Sequence, residues 1–172
     1  MRGSYQAAFA VVMSCVSAPG AAAIVASSAG GFTVREEVSL SGPPSRAWAR
    51  LVDVARWWDG KHTYSGKASN LSLTLRPGGC WCESLDHGGF VRHMDVVLAI
   101  PGKTLRLTGG LGPLQGTGAT GALTFTLRSS SPNVTVVVAE YSVVGFTPDG
   151  LTAMAGAVDE VLGEQMARFA NQ

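Results

Sequence analysis

The stretch RPGGCWCESLDHGGFVRHM, residues 76–94, gathers two of the three cysteines and two of the three histidines of a 172-residue chain. Cysteine, histidine and carboxylate in such proximity could bind a metal, form a redox-active pair or serve a proton transfer. If the turn centres on His87-Gly88, residue numbers pair to a sum of 175. Glu83 then faces Arg92, Cys82 faces His93 and Cys80 faces Asp95. Alternation puts Trp81, Glu83, Leu85, Phe90, Arg92 and Met94 on one face and Cys80, Cys82, Ser84, Val91, His93 and Asp95 on the other. A slip of one residue would undo that assignment.

Zinc accepts cysteine, histidine and aspartate in a tetrahedron. However, two cysteines one residue apart on a regular strand stand about 6.6 Å apart at Cα, and the usual two-residue spacing of a zinc site is missing. A Cys80–Cys82 bridge is a second reading, and it needs a kinked strand to bring the Cα atoms closer. The reading favoured by the pattern is two small, half-buried thiols, because unpaired cysteine behaves as a small hydrophobe. No metal site and no cofactor are expected. The face with Trp81, Leu85, Phe90 and Met94 is the more apolar and should look inward. That would bring a Glu83–Arg92 ion pair to the edge of whatever lies beneath, where a few polar groups orient a ligand in an otherwise apolar pocket.

Nucleophilic and nucleotide chemistry find no support. The chain has neither GxSxG nor GxxxxGK[ST], and the glycine-rich segment 109–121 lacks both a lysine and a following helix. That segment is expected to be a crossover or lid. His62 has no carboxylate or nucleophile spaced to orient it.

Other elements must position these groups. MRGSYQAAFAVVMSCVSAPGAAA opens with Arg2, runs apolar from Ala7 to Val16 and ends in small residues, the layout of a secretory signal. The apolar run is too short to span a bilayer, which takes about 20 residues. Residues 1–31 are therefore expected to be a signal peptide and flexible leader, and residues 32–172 a single domain. The protein would be periplasmic or secreted. A lipoprotein acylated at Cys15 is the lesser alternative, since Met13 fits that cleavage box poorly. The formal net charge of +1 and a charged fraction of 15 % give no reason to expect nucleic acid as a partner.

Residues 32–42 alternate as a half-buried strand. Pro43-Pro44 ends it and opens a short helix carrying Ala47, Trp48, Leu51 and Val52, with one further turn at 54–59. Strands are then expected at 71–76, 80–85, 91–100, 104–109, 122–128 and 134–144, the last two joined by a turn at SSSPN. Met154, Val158, Val161, Leu162, Gln165, Met166 and Phe169 form one stripe of a long C-terminal helix. The fold class is α+β: a curved antiparallel sheet of about seven strands wrapped on that helix.

This order resembles the START-like helix-grip superfamily, also called SRPBCC, in the branch of the chaperone-ATPase-activator homologues and polyketide cyclase-like proteins. The segments carrying the likeness are PPSRAWARLVDVARWW, RPGGCWCESL, VVLAIPGKTLRLTG and the terminal helix. The resemblance implies a deep apolar cavity between sheet and helix, and a small hydrophobic, lipid-like or polyketide-like molecule as partner. It places the segment of Trp57, Trp58, His62 and Tyr64 near the cavity mouth. With Trp81, Glu83, Arg92, Met94 and Met166, residues Trp57, Trp58 and Tyr64 make up the expected ligand-binding set. No catalytic residue is assigned. The alternatives are a cyclase or hydratase that moves a proton through a cavity acid such as Glu83, and a protein-interaction module.

Overall fold

A computed structural model describes residues 23–172. Eight antiparallel strands form one sheet in the order β1-β2-β8-β7-β6-β5-β4-β3. Strand β1 (Ala23–Ser28) forms a hairpin with β2 (Gly31–Ser41). After the helices come β3 (Leu71–Leu73), β4 (Cys80–Ser84), β5 (Phe90–Ile100), β6 (Thr104–Gly109), β7 (Gly118–Ser131) and β8 (Val134–Phe146). Helices α1 (Pro44–Val52) and α2 (Val54–Trp57) follow β2, and α3 (Thr152–Ala170) closes the chain. The fold is α+β and has the helix-grip arrangement, a curled antiparallel sheet with a long C-terminal helix.

The sheet contains one strand more than the seven expected. Residues 23–31, expected as flexible leader, supply it: Ile24 pairs with Val34 and Ser27 with Phe32. The expected signal peptide and the alternative acylation at Cys15 fall on residues 1–22, outside the described residues. Strand β3 stops at Leu73 rather than residue 76, and β7 begins at Gly118 rather than 122, so strand takes over part of the glycine-rich connection. None of the helices among the described residues is long and apolar enough to cross a membrane.

Helix α1 starts at the paired prolines because proline fixes φ at a helical value and has no N–H to lose in the first turn. Its buried residues are Ala47, Trp48 and Leu51. The core lies between the sheet and α2–α3. Trp57, 1 % exposed, is its centre. Its ring lies 5.4 Å from Phe169, 5.6 Å from Trp58, 6.3 Å from Trp81 and 6.4 Å from Phe125. Buried aromatic pairs of this kind are worth about 0.5–1.5 kcal/mol each beyond their area. Polar ties hold α3 in place. Arg50 donates to the carbonyls of Phe169 and Ala170 at its C-terminus, where orphan carbonyls and the helix dipole favour a cation. Gln165 Oε1 accepts from the Asp59 backbone N–H at 2.7 Å.

The β4–β5 hairpin departs from its expected register. Cys80 faces Asp95 as expected, but Cys82 faces Arg92, Glu83 faces Val91 and Ser84 faces Phe90. The shift falls between Trp81 and Cys82 and leaves His93 as an extra residue on β5. The turn at Asp86–Gly88, with His87 at φ 57° and Gly88 at φ 80°, sets the pairing nearest to it. The bulge then restores the expected pairing beyond. Val91, His93 and Met94 are therefore buried, while Arg92 points outward and Phe90 is 75 % exposed. The expected Glu83–Arg92 pair does not form. Arg92 pairs with Asp95 instead, and Glu83 pairs with His93. The same kink corrects the reading of free thiols: Cys80 and Cys82 are bridged, with Cα atoms 5.5 Å apart, closer than a regular strand allows.

Candidate functional site

A cavity of about 690 Å³ lies between the N-terminal half of α3, the segment 61–64 and the segment 111–114. Helix α3 contributes Ala153, Met154, Ala157, Val158, Val161 and Leu162. These residues belong to the apolar side of the helix, but the sheet does not fill the space beneath them. Further along, Leu162, Gln165, Met166 and Phe169 are buried in the core. One helix thus lines the cavity with its first turns and packs the core with its last.

The opposite wall comes from two connections. Leu111, Gly112, Pro113 and Leu114 lie in the glycine-rich segment expected as a lid, and they line the cavity. Leu114 is almost fully buried and anchors a short 3-10 turn at Gly112–Gly116. Tyr141 of β8 holds this segment: its hydroxyl donates to the Gly109 carbonyl at 3.0 Å and accepts from the Leu111 N–H at 3.2 Å. Burial pushes its pKa up to about 12, against the opposing Leu111 hydrogen bond, so it remains a phenol. Gly121 makes room for the ring, since a Cβ there would stand 2.7 Å from Tyr141 Cε2 and 2.4 Å from the Ser142 carbonyl oxygen.

The second connection carries Lys61, His62, Thr63 and Tyr64. Trp58 enters the wall just before it, with Nε1 donating to the His62 carbonyl at 3.0 Å. His62 Nε2 lies 3.2 Å from Glu164 on α3, a carboxylate partner more than a hundred positions away that local spacing does not reveal. The Tyr64 hydroxyl donates to the Gly112 carbonyl at 3.1 Å and so joins the two connections across the mouth.

Glu83 fixes this second connection from beneath. Its carboxylate accepts from the Tyr64 N–H at 3.1 Å, the Ser65 N–H at 2.5 Å and His93 Nε2 at 2.9 Å. Burial alone would raise its pKa, but the hydrogen bonds from Ser65, Tyr64 and His93 outweigh burial and bring it below the ordinary value. Burial is also the larger influence on His93. It lowers the imidazole pKa, and the Glu83 carboxylate offsets this only in part. The pair is therefore an anionic carboxylate against a neutral ring. A carboxylate only accepts, so His93 carries its proton on Nε2 and keeps a lone pair on Nδ1.

Of the eight residues expected to bind a ligand, the cavity brings together Trp58 and Tyr64. Trp57, Trp81, Met94 and Met166 are buried in the core, and Arg92 is on the outer face. Glu83 is buried behind the wall and acts on the cavity through Tyr64 and Ser65. Sequence reasoning missed Tyr141 and Glu164. Tyr141 looks like any inward residue of an apolar strand, and Glu164 like any solvated helix residue.

Neither a family model nor a curated protein matches the chain. Solved structures do. MLL2253 from Mesorhizobium loti has a TM-score of 0.57 at 23 % identity, covering 81 % of this chain and 94 % of its own. CalU16 from Micromonospora echinospora has a TM-score of 0.55 at 13 % identity, covering 81 % and 73 %. DynU16, a protein in the dynemicin biosynthetic locus, has a TM-score of 0.54 at 18 % identity, covering 81 % and 46 %. At these identities the likeness is one of fold: this chain shares its curled sheet and long C-terminal helix with these proteins.

Proposed function

We propose that the protein is an exported binding protein of the START-like helix-grip kind that holds a small hydrophobic, lipid-like or polyketide-like molecule. The cavity carries this reading. Its volume of about 690 Å³ falls within the roughly 300–1,000 Å³ range of small-molecule sites, and its lining is mostly apolar with a few polar groups at the rim, as such sites usually are. The fold likeness to DynU16, from the dynemicin biosynthetic locus, is in keeping with a small-molecule role.

Export has its own support. Disulfides persist in oxidising compartments, and Cys80–Cys82 is bridged. Cleavage near Ile24 would also leave β1 as the start of the mature chain. Mass spectrometry of the protein from its own host should give an N-terminus near Ile24, and an intact Met1 in the cytosol would overturn export. The cyclase or hydratase alternative gains nothing from Glu83, which is held ionised behind the wall.

Titration with the neutral fluorophore N-phenyl-1-naphthylamine tests the binding reading. Ala157 lines the cavity without being buried in the core, so Ala157→Trp should fill the cavity and leave the fold intact. We expect affinity to fall at least tenfold while the Tm changes by no more than a few degrees. Equal binding by both proteins, or none by the wild type, would overturn the reading.

A further inference from the structure

Beside the main cavity is a small annex of about 20 Å³. Trp58, His62, Leu111 and Gly112 line both spaces, and Trp81 and His93 face only the annex. A space of this size holds one water-sized group. Two of its lining residues, Trp81 and His93, carry a polar ring atom. Trp81 Nε1 is buried and has no hydrogen-bond partner among the described residues, although a buried indole N–H usually finds one. His93 gives Nε2 to Glu83, and its Nδ1 has no hydrogen-bond partner among the described residues. The annex thus offers one donor and one acceptor. A hydroxyl satisfies both, a carbonyl only the donor, and a methyl neither.

We infer that the annex reads a single hydroxyl on an otherwise apolar ligand, Trp81 Nε1–H donating to its oxygen and His93 Nδ1 accepting its hydrogen. The ligand class is therefore an apolar alcohol or phenol rather than a plain hydrocarbon. Glu83 is a positioning residue here: it fixes the tautomer that makes His93 an acceptor. This inference rests on the binding reading above and specifies which molecules the cavity prefers.

The test compares 1-naphthol with 1-methylnaphthalene, which have similar shape and differ in the hydroxyl. Wild-type protein should bind 1-naphthol about tenfold more tightly, the gain of a net hydrogen bond. Trp81→Phe keeps an aromatic ring and removes the donor. It should bring the two affinities within about threefold by weakening 1-naphthol alone. In wild-type protein, 1-naphthol should move the Trp81 indole N–H resonance, assigned in the wild-type spectrum itself, and 1-methylnaphthalene should not. This measurement stands even if the variant folds poorly. If wild-type protein binds both compounds equally and the resonance does not move, the annex holds only water and the inference fails while the cavity reading survives. If neither these compounds nor N-phenyl-1-naphthylamine bind, both fail together.

Discussion

Glu36 on β2 and Glu83 on β4 are both buried glutamates of the same sheet, 3 % and 1 % exposed, yet the fold treats them in opposite ways. Glu83 meets three N–H donors and stays ionised. Glu36 lies under α3, where the chain passes at Gly163. Its Oε1 has no hydrogen-bond partner among the described residues, and the group that acts on its charge is another carboxyl, Asp159. Burial, followed by the charge and hydrogen bond of Asp159, raises the Glu36 pKa to about 7. Burial penalises both charges equally in kind, so the neighbouring groups decide the protonation state. One glutamate fastens a loop as an anion, and the other holds its proton up to about pH 7 under the gripping helix.

The largest expected effect is at Glu83. Glu83→Ala strands His93 and two backbone N–H groups and should cost about 3 kcal/mol, the usual penalty for orphaning buried partners. Urea unfolding would measure it, and faster amide exchange at Tyr64 and Ser65 would locate it. A loss under about 1 kcal/mol would remove Glu83 as the anchor of the cavity wall.

Glu36 should show the opposite behaviour through pH. Its carboxyl holds a proton in the folded state up to about pH 7 but releases it near pH 4.5 when unfolded. Folding therefore takes up a proton in this window, and stability declines as pH rises from about 5 to 8. The decline should be on the order of 2–3 kcal/mol. Glu36→Gln should abolish it, leaving the variant more stable than wild type at pH 8 and little changed at pH 5. Parallel pH profiles for the two proteins would contradict the comparison.

The smallest effect is at Arg92. Its pairing with Asp95 is on the surface, so Arg92→Ala should change stability by less than about 0.5 kcal/mol. A cost like that of Glu83→Ala would mean that Arg92 supports the buried carboxylate after all, as the unbulged register would have it.

That register shows where the sequence becomes illegible. The proline pair, the α1 stripe, the β7–β8 turn and the terminal helix are all written in local patterns, and the structure has them where the patterns put them. A single extra residue on β5 is not written locally. VRHM reads equally well with either face inward, and only the turn at Asp86–Gly88 decides which. Strand β1 was hidden for another reason: the small and apolar residues AIVASS also suit the end of a leader. The site suffers most because its defining contacts join residues far apart, Glu83 with Tyr64 and Ser65, and His62 with Glu164. The apolar stripe of α3 is legible. Its division into cavity wall and core depends on where the sheet ends beneath it, and helical periodicity contains no such information.

The pairing of β2 with β8 also has a kinetic consequence. Gly31 pairs with Val144 and Ser41 with Val134, so the first long strand must wait for nearly the last part of the chain to be made. Every residue between them is a loop to be closed before that ladder returns any free energy. Such non-local topologies fold in milliseconds to seconds rather than microseconds. On the export reading, that delay helps the chain stay translocation-competent: a nascent β2 has only the short β1 hairpin to pair with, and the grip closes only after the C-terminal strand and helix have emerged on the far side.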